Sequence, residues 1–253
     1  MNLNLNDLLA KAEKAARAAG VEILKIYESG DFSIEAKADN SPLTLADRAA
    51  HNAIVRVLTE TNVPILSEEG RSIPYEERKN WDYFWMIDPL DGTKEFIKKN
   101  GEFTVNIALI HQNRPILGVV YPPVLNQMYA AIKGQGATLD EKKIHVSGKR
   151  LNEAGLKAVA SRSHMSPETE EFLAELNNPV LVSKGSSLKL LMVASGEADV
   201  YPRFGPTMEW DTAAAQIVVE EAGGQVLHTD QKSAVTYNKE NLLNPFFIVL
   251  GYL

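Results

Sequence analysis

A chain of 253 residues, 45% hydrophobic and 23% charged, holds enough apolar mass for one large layered domain or two closely packed halves. Its net charge of −7 excludes bulk nucleic-acid binding, which needs a basic field, but not a small anionic substrate held beside a metal ion. There is no cysteine, so disulfides, thiolate metal sites and a Cys nucleophile are excluded, and no run of about 18 apolar residues suggests a membrane span.

The start of the chain, mixing Asn, Asp and Leu, lacks the basic and apolar regions of a signal peptide, and a cytoplasmic location is expected. Residues 6–28 place Leu8, Leu9, Ala12, Ala16, Ala19, Ile23, Ile26 and Tyr27 at amphipathic helical spacing, with Gly30 as the stop. Phe32 to Ala38 alternates like a half-buried strand, and Asp39 to Pro42 reads as a turn. Thr44 with Asp47 three residues on resembles a capping box opening a helix to Leu58. Strands are expected at 63–66, 83–87, 103–110, 115–121 and 128–132. Beyond residue 150, apolar runs at 158–160 and 180–182 alternate with helical stretches at 167–177, 186–195 and 211–222. The first half therefore reads as α+β and the second as α/β, with no linker between them. The expected organisation is two sub-domains sharing one interface, 1–153 and 154–253.

Three acidic clusters punctuate this pattern. In the first, a short apolar strand runs into Ser67-Glu68-Glu69-Gly70, which places a carboxylate at a sheet edge. In the second, the bulky run Trp85-Met86-Ile87 delivers Asp88, and Pro89 is expected to end the strand. Asp91-Gly92 then makes a tight turn, and Thr93 is expected to cap a helix from Lys94 to Lys99. Two carboxylates three residues apart, with the Leu90 carbonyl between them, form an all-oxygen set suited to a hard cation, and the helix start beside them suits a phosphate. The same residues also satisfy a plain strand–turn–helix junction. In the third cluster, Trp210-Asp211-Thr212-Ala213-Ala214-Ala215 leads a helix that stops at Gly223-Gly224; Asp211 falls at the helix start, where a simple N-cap is the competing role.

Taken together, D-P-x-D-G-T-x-x-F at 88–96, the preceding S-E-E and the later W-D-x-A-A resemble the lithium-sensitive, magnesium-dependent phosphatase superfamily. That superfamily contains the inositol monophosphatases, fructose bisphosphatases and bisphosphate nucleotidases. Over nearly its whole length the chain is similar to the bacterial CysQ-type 3′(2′),5′-bisphosphate nucleotidases. The segments that carry this likeness are 37–42, 88–106, Ser161-Arg162-Ser163-His164, Gly185 to Lys189 and Tyr201 to Thr207. Asp140-Glu141 departs from the family, standing where many relatives have a glycine turn, as do Met208-Glu209 before Trp210.

The resemblance implies a layered αβαβα sandwich and hydrolysis of the 3′-phosphate of adenosine 3′,5′-bisphosphate (PAP) to AMP. It extends to 3′-phosphoadenosine 5′-phosphosulfate (PAPS), converted to adenosine 5′-phosphosulfate (APS), in sulfur assimilation and nucleotide recycling. Inositol-1-monophosphatase is the alternative activity. It further implies two or three Mg2+ ions held by Glu68, Asp88, the Leu90 carbonyl, Asp91 and Asp211, with Asp47 and Thr93 orienting the attacking water and Glu68 serving catalysis as well. For Asp47 a capping role alone is the competing reading. Substrate contacts are expected from Glu68, Leu90, Asp91, Gly92, Thr93, His164, Ser186, Lys189, Arg203 and Asp211. Expected partners are the small-molecule substrate but no nucleic acid, in a monomer or homodimer that could also sit peripherally at the cytoplasmic face of the inner membrane.

Overall fold

The computed structural model describes residues 3–30, 32, 33, 35, 36, 42–160 and 165–253. Helix α1 (Leu5–Ser29) begins under the Asn4 side chain, which accepts from the amides of Asn6 and Asp7, and ends at Gly30 with φ of 76°. A minimal ribbon, β1 (Glu35–Ala36) with β2 (Pro42–Leu43), precedes α2 (Leu45–Leu58). Most of the turn expected at 39–42, and residues 34, 37 and 38 of the strand expected at 32–38, lie outside the described residues. The capping box forms: Asp47 accepts from the Thr44 amide while Thr44 accepts from the Ala46 amide.

The first sheet has seven strands in chain order: β3 (Ile65–Ser67), β4 (Tyr83–Asp91), β5 (Thr104–His111), β6 (Arg114–Tyr121), β7 (Tyr129–Ile132), β8 (Gly136–Leu139) and β9 (Lys142–Ile144). Only β3 and β4 are parallel. The short helices α3 (Tyr75–Arg78) and α4 (Thr93–Ile97) bracket β4. Strand β4 does not end at Pro89. It continues to Asp91 through a register shift between Asp88 and Asp91, so the ladder never calls on the amide that proline lacks.

Both faces of this sheet are covered, and β4 and β5 are accordingly apolar at nearly every position. Trp85, Ile87, Ile107 and Leu109 face α1 and α2, whose alanines (Ala12, Ala16, Ala46, Ala50) let the helices lie close. Phe84, Met86, Ala108 and Ile110 face the opposite way, onto the second half of the chain.

That half contributes β10 (Lys157–Val159), α5 (Pro167–Ala174), β11 (Val180–Val182), α6 (Leu188–Ala194), β12 (Val200–Arg203), α7 (Glu209–Glu221), β13 (Gln225–His228) and β14 (Phe247–Leu250). Its sheet runs β11-β10-β12-β14-β13, with β10 parallel to β11 and β12 and the other pairs antiparallel. Helices α6 and α7 fill the space between the two sheets, and α5 covers the far face of the second. The layers are thus αβαβα. Helix α7 packs so tightly on β6 that a Cβ at Gly118 would stand 2.4 Å from the Ala214 carbonyl oxygen. The larger sheet ends at Ile144 and the smaller begins at Lys157, yet one apolar core joins Phe84 and Met86 to Val159, Val218 and Val249.

Candidate active site

The acidic clusters meet where β3, β4, α2, α4, α6 and α7 end or begin. Asp88 leaves the buried part of β4 and is itself only 1% exposed. Its Oδ1 accepts from the Leu90 amide at 3.0 Å. Burial pushes its carboxyl well above the usual range, and the nearby charges of Glu68, Asp91 and Asp211 push it further, as does a hydrogen bond with Glu68. Glu68 is set beside it because its amide donates to the Ile87 carbonyl at 3.2 Å, extending the β3–β4 pairing by one residue.

Asp211 is not the N-cap of α7. It sits in the first turn, where its Oδ2 accepts from the Met208 amide at 2.9 Å, the inward half of a capping arrangement. Burial raises its carboxyl too, chiefly with the help of Asp91 and against that amide bond. Among the described residues no three of these acids stand in a ready-made metal cage. Asp91 is instead turned toward α6: its Oδ2 accepts from Ser186 Oγ at 2.6 Å, the Ser187 amide at 2.6 Å and Ser187 Oγ at 2.7 Å.

Thr93 does not cap α4 by side-chain bonding. Gly92 occupies the cap position at φ of 97°, a conformation open to glycine, and a Cβ there would crowd the Glu102 carbonyl oxygen at 3.1 Å. The Thr93 hydroxyl is released for another use, donating to Asp47 Oδ1 at 3.2 Å with the Leu90 carbonyl as a second acceptor at 3.4 Å. Asp47 is 1% exposed, and Thr44 holds its Oδ2 with both amide and hydroxyl. Its two expected roles are therefore not alternatives, since one oxygen caps α2 while the other faces Thr93.

A cavity of about 860 Å³ opens beside Asp91 and Asp211, and Gly92, Ser186, Lys189 and Arg203 share its wall. Lys189 Nζ donates to the Ser186 carbonyl at 2.7 Å and lies 5.8 Å over the Tyr201 ring. Burial lowers its amine to about 8; the Arg203 charge adds to the fall and Asp91 opposes it. Arg203 donates through Nη2 to the Pro206 carbonyl at 3.0 Å, and its buried Nε has no hydrogen-bond partner. Ser186 stands at φ of 54°, strained for a side chain of its kind. His164, like the rest of Ser161-Arg162-Ser163-His164 and the segment 37–41, lies outside the described residues.

The sequence reading did not single out Thr104, Asn106 and Ser187. All three are buried, and they tie Asp91 to the start of α7: Asn106 Nδ2 donates to Ser187 Oγ at 2.8 Å, and that hydroxyl reaches the Asp211 carbonyl at 2.8 Å. A signal was present, because Thr104 and Asn106 are two polar residues on one face of an otherwise apolar strand. Phe204 in the cavity wall carried no such signal: its ring lies 6.2 Å from that of Phe172 and 6.1 Å from that of Phe246, residues far apart in the chain.

Comparison with known proteins places these observations in a family. The family model described as the inositol monophosphatase family matches residues 4–246. The chain is 47% identical to the 3′(2′),5′-bisphosphate nucleotidase CysQ of Escherichia coli K12, over 97% of this chain and 100% of that one. It is 35% identical to the enzyme of the same name from Haemophilus influenzae, over 98% and 95% respectively. Among solved structures, that of CysQ from Bacteroides thetaiotaomicron matches over the full length of both chains, with a TM-score of 0.89 and 47% identity. An inositol monophosphatase from Thermotoga maritima matches with a TM-score of 0.80 and 27% identity, over 97% of this chain and 92% of that one.

Proposed function

The chain belongs to the inositol monophosphatase family, and on that premise we propose that it is a magnesium-dependent phosphomonoesterase that converts PAP to AMP and phosphate. The observation that carries the choice of substrate is the shared wall of one cavity, with Asp91 and Asp211 in it together with Lys189 and Arg203. A substrate with one phosphoryl group needs only the acidic end. A second phosphate gives the two cations a partner, and charge-assisted bonds of this kind contribute about 1.5–3 kcal/mol each. Phe204, in the same cavity wall, offers a flat surface to a nucleobase.

The acidic residues suit a hard divalent cation. Asp88 is buried among Glu68, Asp91 and Asp211, a concentration of like charge that a dication offsets, and every donor is an oxygen. Glu68, Asp88, the Leu90 carbonyl, Asp91 and Asp211 would hold it, and once bound such ions activate water and neutralise the charge on the departing oxygen. Thr93 and Asp47 handle the proton. As the water oxygen attacks phosphorus and the bond to the 3′-oxygen breaks, one water proton passes to Thr93 Oγ1 while the threonine proton moves to Asp47 Oδ1. The departing 3′-oxygen takes its proton from solvent. The amides of Gly92 and Thr93 face the phosphoryl oxygens as charge builds. PAPS presents the same 3′-phosphate, which would extend the activity to APS formation and sulfur assimilation.

A phosphate-release panel with magnesium tests this, comparing PAP, 3′-AMP, 5′-AMP and inositol 1-phosphate. PAP should be hydrolysed best, and exhaustive chelation should abolish turnover. A preference for inositol 1-phosphate would reassign the chain to the inositol monophosphatase activity, and full activity under chelation would remove the metal from the mechanism.

A further inference from the structure

The ring of hydrogen bonds beneath Asp91 has more contacts than protons. Ser186 Oγ meets Asp91 Oδ2 at 2.6 Å and Thr104 Oγ1 at 2.7 Å. Thr104 Oγ1 also reaches Asn106 Oδ1 at 3.1 Å, while Asn106 Nδ2 donates to Ser187 Oγ. Ser187 Oγ in turn meets both Asp91 Oδ2 at 2.7 Å and the Asp211 carbonyl at 2.8 Å. Three hydroxyls, each with one proton, thus face five contacts.

Two complete arrangements follow. In one, both serine hydroxyls donate to Asp91 and Thr104 donates within the ring. In the other, Ser187 donates to the Asp211 carbonyl, Ser186 to Thr104 and Thr104 to Asn106. No buried hydroxyl loses its acceptor in either arrangement, so the cost of an orphaned donor never arises. Asp91 Oδ2 can be released from both hydroxyls while the Ser187 amide still holds it.

We infer that Thr104, Asn106 and Ser187 are positioning residues forming a hydroxyl relay. The relay holds Asp91 in place before the cation arrives and lets it turn to the cation without breaking the buried network. Because Ser187 and Asn106 also touch the Asp211 carbonyl, the relay ties together the two acids supplied by different halves of the chain. The inference rests on the proposed metal-dependent function. Outer partners of this kind typically change metal affinity about 10–100-fold when removed.

Two variants that remove little volume test it, Ser187→Ala and Thr104→Val. Magnesium binding is measured by calorimetry on each metal-free protein, together with its melting temperature in chelator and its KM for PAP at saturating magnesium. The expected result is magnesium affinity weakened roughly tenfold or more in both variants, with KM for PAP near that of the parent. A relay with a purely structural role would lower the melting temperature in chelator and leave magnesium affinity unchanged, which would overturn the inference while the function stood. A parent protein that binds no magnesium would overturn both.

Discussion

Asp88 shows how a residue placed for chemistry acts against the fold. When metal is absent its charge is buried, and Glu68, Asp91 and Asp211 beside it all carry the same sign, with the Leu90 amide donating to it. An acid whose carboxyl is raised in the folded state weakens that state at every pH above its unfolded value near 4. Asp88→Asn keeps the shape and the acceptor for the Leu90 amide, so in chelator it should melt higher than the parent at pH 7. The gain should be about 2–4 °C for each kcal/mol of destabilisation removed, shrinking as pH falls through the raised folded-state range toward 4 and vanishing below it. Adding magnesium should reverse the order, and the variant should not turn over. Equal melting temperatures in chelator at pH 7 would show that the acids do not repel one another. Lys189 carries a second residue-scale expectation. With its amine lowered to about 8, it is a cation below that pH and loses its charge above it. The ratio of kcat/KM for PAP to that for 3′-AMP should therefore fall as pH rises through about 8, and Lys189→Ala should flatten the profile. A ratio independent of pH in the parent would detach Lys189 from the second phosphate. Residue identities in the motif were legible because each has a specific chemical type. The direction in which Asp91 and Thr93 point was not, because it depends on Ser186, Ser187 and Asp47 from distant parts of the chain.

Among the elements, α1, α2 and the strands of the first sheet were readable because their apolar spacing is set by one dominant layer of neighbours. The later strands β12, β13 and β14 were not recognised; they are short, and their pairing joins residues 200–203 to 247–250 across the chain. Hairpin β8–β9 was overlooked as well, although its turn carries the unusual pair Asp140-Glu141. Both residues have positive φ, 47° and 66°, as a two-residue turn of the mirror-image type requires. Asp140 serves there, because its Oδ1 accepts from the Met128 amide at 2.8 Å. Among the described residues no comparable backbone bond holds Glu141, and a left-handed conformation costs a non-glycine residue about 1–2 kcal/mol. After the extra freedom that glycine gives the unfolded chain, Glu141→Gly should still stabilise by about 0.5–1 kcal/mol, or roughly 1–4 °C. Asp140→Gly should destabilise. A melting temperature unchanged or lowered in Glu141→Gly would mean that the strain is relieved elsewhere.

At the scale of the whole molecule, the division near residue 153 separates two sheets but not two cores. Phe84 and Met86 of one sheet share a cluster with Val159 and Val249 of the other, through α6 and α7. Heating should accordingly give one cooperative transition with coincident near- and far-ultraviolet signals, and residues 1–153 alone should not fold. Two resolved transitions would make the halves independent. The position of α7 also matters during synthesis. The seven strands of the first sheet are complete by Ile144, but the helix that seals their inner face ends only at Glu221. At 5–20 residues per second the growing chain spends on the order of ten seconds with Phe84, Met86, Ala108 and Ile110 uncovered. For that interval the ribosome-bound nascent chain carries a broad apolar sheet face to any chaperone or neighbouring chain within reach. The latest helix to emerge into this sandwich, α7, is the one that ends its exposure.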